Sequence, residues 1–309
     1  MIEVFSKRKD KPRHYGFVAL DEAPPSNWID LDPVEFAISP DGKNWTSCYD
    51  VPNMEGIYCF DSPKVPIAKR TNNSKKFGLQ DGSRLISTTY DSREIKFKLI
   101  YRGADRTDAM LAFETAQRFF VSREAYWLTF ADWQGRMYYG LAEMGDPDFG
   151  VKDWSCEVTF TDLMGLGRSI GTSLGSTADL WGVNNNIPNN GDYPPFEFTT
   201  NTFSVYNLSD VDIDPERRGH DFKLTIKGSS SGKFRITNKS TGYYLYHDKS
   251  FDGELSLDGP NAEFNGQGAL LDVSGTDGGV IDLKQGKNDF QVDNFSGTIS
   301  FDFPFWWLS

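Results

Sequence analysis

Two runs of strict alternation constrain this chain more than any other feature. In Glu94–Tyr101, the residues Ile95, Phe97, Leu99 and Tyr101 fall on one side, and Glu94, Lys96 and Lys98 fall on the other. Further on, Trp154, Cys156, Val158 and Phe160 alternate with Ser155, Glu157, Thr159 and Thr161. Successive side chains of a strand point to opposite faces, so a period of two predicts two half-buried strands. Tyr126–Phe130 and Met137–Leu141 predict two more, joined by Ala131-Asp132-Trp133-Gln134-Gly135-Arg136, whose glycine suits a hairpin. The 24 Phe, 13 Tyr, 8 Trp and 29 Gly fit strands and turns better than a helical bundle.

One segment breaks this pattern. Across Thr107–Val121, Ala109, Ala112, Phe113, Ala116, Phe119 and Phe120 form a stripe at helical spacing, with Asp105 or Thr107 available as the cap. Before the alternating strands lies the polar stretch Lys69–Asp91, too long for an ordinary connection. Such insertions carry a function or form a protruding arm, and the competing reading is a surface loop. As an arm, its candidate interface residues are Lys75, Lys76, Gln80, Asp81 and Arg84.

From Gly165 to Asn190 the periodicity fades into Gly, Ser and Asn, with Leu180-Trp181 as an isolated apolar pair. A domain boundary is predicted in its early part. Short alternating strands then return around Phe222/Leu224/Ile226, Phe234/Ile236, Leu255/Leu257 and Ile299/Phe301/Phe303, without a helical pattern. This spacing predicts an all-β sandwich. The expected organisation is mostly β in two domains, residues 1–165 with the arm at about 69–91, and residues 166–309.

Charge limits the partners. Residues 1–170 carry 22 Lys+Arg against 25 Asp+Glu, and residues 171–309 carry 10 against 19, so the net values are −3 and −9. The acidic second half argues against binding a phosphate backbone, but not against a polyanion passing through without sticking. The three cysteines, Cys48, Cys59 and Cys156, are odd in number and widely spaced, which argues against a disulfide framework and for a reducing compartment. The start Met1-Ile2-Glu3-Val4-Phe5 lacks the features of a signal peptide. No run approaches the roughly 18 apolar residues of a membrane helix. The sequons Asn44-Trp45-Thr46 and Asn238-Lys239-Ser240 carry little weight without a secretory signal.

Several motifs fall short of chemistry. Gly171-Thr172-Ser173-Leu174-Gly175 fits the nucleophile-elbow pattern, with His220 and His247 downstream as paper bases, yet it lacks the strand before and the helix after. Gly165-Leu166-Gly167-Arg168-Ser169-Ile170-Gly171 approaches a dinucleotide loop, but its third glycine is one position late and no βαβ unit surrounds it. Asp210, Asp212, Asp214, Glu216 and Asp221 mimic a calcium loop, with Pro215 where the turn needs glycine. The histidines, at 14, 220 and 247, do not cluster with the cysteines as a zinc site would require. No carboxylate pair stands out for glycoside hydrolysis. Catalytic residues, cofactors and metals are therefore all expected to be absent. Tyr243, Tyr244 and Tyr246, with Trp181, Trp306 and Trp307, are the candidates for stacking on a sugar, against the more ordinary reading of core aromatics.

The order of features resembles the distal tail proteins of siphoviruses. Asp81-Gly82 … Tyr90-Asp91-Ser92-Arg93-Glu94-Ile95-Lys96-Phe97 looks like an arm leading into that family's R-x-I strand, followed by the helix. Asp132-Trp133-Gln134-Gly135-Arg136 and Tyr138-Tyr139-Gly140 look like its aromatic hairpin, and Phe160-Thr161-Asp162-Leu163 resembles the close of its first domain. In the second half, Val205-Tyr206-Asn207-Leu208-Ser209-Asp210 with Pro215 resembles N-x-G-D … P, with Ser209 where glycine is usual. Ile236-Thr237-Asn238-Lys239-Ser240-Thr241-Gly242 resembles I-x-N-x-x-T-G, and Leu283–Phe290 resembles L-x-x-G-x-N. The resemblance spans nearly the whole chain and rests on order, since no single motif is specific. It implies a ring-forming, sandwich- or barrel-like first domain with one helix and an arm that reaches a neighbouring copy. The second domain is implied to be a galectin-like sandwich. It further implies a homo-hexamer at the tail tip of the virion, made in the host cytoplasm. Its partners would be the tail tube protein, the tail-associated hub protein, the tape measure protein and a receptor-binding protein. DNA would cross its channel unbound, and no membrane would be involved. The alternative is a module that recognises host cell-wall carbohydrate.

Overall fold

The computed structural model describes residues 3–11, 13–14, 28–29, 33–60, 63–79, 81–133, 135–175, 186, 193–269 and 272–309. It separates into two compact units: residues up to Gly167 with Leu308–Ser309, and Arg168–Trp307.

The first unit is built on an antiparallel sheet. Its order runs Pro33–Val34, Ile57–Phe60, Arg93–Arg102, Asp153–Asp162, Arg136–Met144, Tyr126–Phe130, Phe36–Ser39, Thr46–Ser47. The two alternating segments of the sequence are the central pair. They run in register from Arg93 opposite Asp162 to Arg102 opposite Asp153, which sets Phe97 against Val158 and Leu99 against Cys156. All these apolar positions are buried, so one face of the pair is core.

The helix spans Arg106–Phe120, one residue earlier at each end than the apolar stripe predicts. Asp105 makes the difference: its side chain accepts from the Asp108 backbone N–H at 2.9 Å and fixes Arg106 as the first helical residue. Ala109, Ala112 and Ala116 are buried, and their small side chains allow close approach to the sheet. Phe120 then fills the space at its end, 5.2 Å from Phe36 and 5.7 Å from Phe97 between ring centres. Phe113 and Phe119 are only half-buried, contrary to a uniform stripe, and Phe113 meets Trp154 edge-on at 5.3 Å. Among the described residues, no helix is long and apolar enough to cross a membrane.

The second unit pairs two antiparallel sheets. One runs Glu197–Phe198, Ser296–Asp302, Lys223–Ser230, Phe251–Asp258, Asn261–Phe264, Gln267–Gly268, and the other runs Thr202–Asn207, Gly286–Asp293, Phe234–Asn238, Tyr244–His247, Val273–Gly275. Phenylalanines bridge them: Phe290 of the second sheet lies 5.0 Å from Phe301 of the first. The three asparagines in the family-like motifs are buried and fasten turns. Asn207 Nδ2 donates to Val211 O, Asn238 Nδ2 donates to Asp282 O, and Asn288 Nδ2 donates to Lys284 O. Ser209, the departure from glycine, is buried, and its hydroxyl accepts from the Trp306 backbone N–H at 3.0 Å. A side chain is useful there because it satisfies a backbone donor that would otherwise be buried alone.

Candidate functional site: an arm and its root

The polar stretch before the central strands folds as a two-stranded hairpin, Arg70–Lys75 with Arg84–Tyr90. Its ladder runs from Arg70 opposite Tyr90 to Lys75 opposite Arg84, with a register shift between Asn73 and Ser74. Asp91 N donates to Lys69 O at 2.9 Å and closes the base, where Thr71 also donates to the Asp91 carboxylate at 2.7 Å. Every residue of Arg70–Lys75 is exposed, as are Arg84–Ser87. No face of the hairpin is covered, and a two-stranded ribbon alone is marginal in water.

The sequence-predicted arm residues gather at its tip. Lys75 and Arg84 are cross-strand neighbours, Lys76 and Asp81 are exposed in the connection, and Gln80 lies outside the described residues. The apolar residues went unremarked in the sequence because polar residues surround them. Leu79 is fully exposed, and Phe77, Leu85 and Ile86 are exposed as well.

The hairpin stands on a buried charge. Arg93, the first residue of the central strand that follows the arm, donates from Nε to Asp162 at 2.9 Å, and both side chains are buried. Arg93 Nη1 also donates to Pro66 O at 2.9 Å and Leu308 O at 2.5 Å, with its guanidinium 5.4 Å from the centre of the Tyr138 ring. Burial raises the Asp162 pKa, an effect the facing Arg93 opposes. Asp162 accepts from Met164 N as well, and Gly165 follows with φ of +68°. A Cβ at Gly165 would lie 2.2 Å from Asp91 O, so the chain can pass the arm's base only as glycine. Arg136 donates to the carbonyl of Ser309 and, at 3.1 Å, to its hydroxyl. The root thus joins Pro66, Asp91, Arg93, Asp162 and Leu308, residues far apart in sequence.

The motifs that hinted at chemistry are taken up in structural contacts. Ser173 is buried; its hydroxyl donates to Phe301 O at 2.7 Å and accepts from Phe303 N at 3.0 Å. His220 accepts at Nδ1 from Asp214 N and stacks on Trp306, and burial lowers its pKa to about 4. His247 turns Nδ1 toward Lys249 O, so neither histidine serves Ser173. Gly167–Ser169 is itself a strand rather than a loop opening a helix. The acidic run disperses: Asp210 accepts from Asn186, Asp212 from Gln285 N, Asp214 from Arg217 N, and Asp221 pairs with Arg168. Among the described residues, no three His, Cys, Asp or Glu side chains gather as a metal-holding group.

The sugar-stacking candidates divide. Trp306 and Trp307 are buried, which corrects their reading as a platform: their faces are core. Trp181 lies outside the described residues. Tyr244 and Tyr246 are half-buried and stack at 6.2 Å, but Arg235 lies 4.2 Å from the Tyr244 ring centre and Lys233 lies 3.8 Å from that of Tyr246. Tyr243 turns its hydroxyl to Asp277.

Residues 56–160 match the family described as the phage tail protein RIFT-related domain. These residues take in the arm and most of the first unit's central sheet. The Dit protein of phage SPP1, described as a paradigm of the hub adsorption apparatus in phages infecting Gram-positive hosts, shares this fold. Identity is 15% and the TM-score 0.56, over 87% of this chain and 99% of that one. The baseplate of phage P2 in its activated conformation with Ca aligns over 88% of this chain and 97% of that chain, at 11% identity and a TM-score of 0.38. No curated protein matches. The chain therefore carries a phage tail domain. Taken whole, it shares the fold of the SPP1 Dit protein, in keeping with the order of its motifs.

Proposed function

We propose that the chain is a structural subunit of a siphophage tail tip that forms a homo-hexameric ring. The observation that carries this reading is the phage tail domain at residues 56–160 within a chain whose fold runs along nearly all of the SPP1 Dit protein. The first unit forms the ring, and the second is a galectin-like sandwich. The ring joins the tail tube to the host-adsorption apparatus, and its partners are the tail tube protein, the tail-associated hub protein, the tape measure protein and a receptor-binding protein. DNA crosses its channel without specific binding, as the net charge of −12 favours. The arm, exposed on all sides and fixed at its root, is the element suited to reach a neighbouring copy. Carbohydrate recognition is the weaker reading, because two of its tryptophans are core and two of its tyrosines already carry cations.

Solution mass measurement with negative-stain imaging tests this directly. The expected result is a six-fold ring with a central hole, and a strict monomer across the micromolar range would overturn it.

A further inference from the structure

The sheet edges of the second unit are unequal. Among the described residues, three of the four are Glu197–Phe198, Gln267–Gly268 and Val273–Gly275, two or three residues each. The fourth, Thr202–Asn207, has six residues, pairs on one side only, with Gly286–Asp293, and runs without a register shift. It carries no charge, no proline and no glycine, and Phe203 and Val205 alternate with Thr202, Ser204 and Tyr206 as a strand requires. An open edge is a template for another chain, and proteins blunt such edges with short strands, lysines, prolines or bulges. This edge has none of those devices.

The ladder fixes which backbone groups the edge offers. Val292 N donates to Asn201 O at 2.9 Å, so these two opposed residues form a hydrogen-bonded pair. Alternation then turns the N–H and C=O of Phe203, Val205 and Asn207 inward to the neighbouring strand, and those of Ser204 and Tyr206 outward. Among the described residues, nothing bonds to the outward N–H and C=O of Ser204 and Tyr206, although the Ser204 hydroxyl donates to Asp289 at 2.7 Å. On the core side, Phe198 stacks on Phe203 at 4.2 Å between ring centres and is itself only half-buried.

We propose that Thr202–Asn207 is a strand-acceptor edge, which takes an extended segment of a different protein as an added antiparallel strand. The main-chain groups of Ser204 and Tyr206 hold that segment. Its apolar residues join Phe198, Phe203 and Val205 on the core side, and its polar residues lie beside Ser204 and Tyr206. Its flanks are basic, because residues 171–309 carry 10 Lys+Arg against 19 Asp+Glu, a net −9. A second copy is the poorer occupant. Pairing this edge with itself brings two such acidic halves together and requires a two-fold axis between touching copies, which neighbours in a six-fold ring lack. The choice of a foreign strand over a second copy rests on the ring-subunit reading.

Hydrogen exchange of the full chain, read by mass spectrometry over residues 201–207, tests it with a synthetic peptide of alternating threonine and valine flanked by lysines. In the chain alone the Ser204 and Tyr206 amides exchange fast, and excess peptide slows them. Ser204→Pro removes an outward N–H and leaves the inward ladder in place, so it is expected to weaken peptide binding about tenfold or more. Ser204→Ala loses only the hydroxyl and binds as the parent does. Methylating the threonine amides of the peptide, which face the edge, has the same effect on the parent chain and keeps the test valid should Ser204→Pro fail to fold. No protection at millimolar peptide, or undiminished binding by Ser204→Pro or by the methylated peptide, overturns the acceptor edge and leaves the ring reading standing. Slow exchange of these amides in the chain alone overturns it as well, and slowing that fades on dilution assigns the edge to a second copy. A monomer whose edge still takes the peptide overturns the ring reading alone.

Discussion

Arg93 ties distant parts of the first unit together. Its guanidinium is shared among Asp162, Pro66 O and Leu308 O inside the unit. Because burial already disfavours the Asp162 charge, the pair is not itself a large source of stability, and its importance lies in what removal leaves behind. Arg93→Ala strands a buried carboxylate and is expected to cost about 3–5 kcal/mol, read from a urea midpoint. Arg93→Lys keeps the charge but lacks the planar fork, so it is expected to recover only part of that loss. His220 makes a second residue-scale prediction. Its native pKa of about 4 lies below the unfolded value of 6.5, so between those values the unfolded chain binds the extra proton. Its contribution is present in full above pH 6.5 and is lost as pH falls toward 4, by up to about 3 kcal/mol. Melting His220→Gln alongside the parent between about pH 4 and 7 should show a flatter acid limb for the variant. Parallel curves would remove His220 from the acid response.

At the scale of elements, the helix seats through alanines, so Ala116→Leu is expected to destabilise the first unit by about 1–3 kcal/mol through overpacking, measurable by thermal melting. The central strands and this helix were legible in the sequence because each has one wet face and one dry face. The pattern of Ile95, Phe97 and Leu99 is the direct imprint of that asymmetry. The arm strands were not legible, since Arg70–Lys75 is exposed on both faces and burial had nothing to imprint. The short strands Phe36–Ser39 and Ile57–Phe60 were missed because so few residues cannot establish a period. Ser173 looked like linker from composition, yet its hydroxyl holds two backbone groups, Phe301 O in the last long strand and Phe303 N just past its end, a pairing 128 and 130 residues distant that no local reading reaches. The same limit explains Trp306 and Trp307: an aromatic end of chain reads alike whether it is platform or core.

At the scale of the molecule, the root of the arm is completed by residues 215 positions away in the chain. Leu308 reaches Arg93, Ser309 reaches Arg136, and both belong to the first unit although the whole second unit precedes them in sequence. Removing Leu308–Ser309 therefore strips acceptors from Arg93 and Arg136 and loosens residues 64–69 and 162–166, which flank the arm. Hydrogen exchange read by mass spectrometry is expected to rise in those two segments and in the arm, with strands Lys223–Ser230 and Phe251–Asp258 unchanged. Assembly should weaken together with the loss of protection, because a hairpin free to swing at its base loses orientational entropy on docking that the fastened arm has already lost. Unchanged exchange at the root, or full assembly despite faster exchange, would separate the terminal segment from the arm and leave the Arg93–Asp162 pair as the element that aims it.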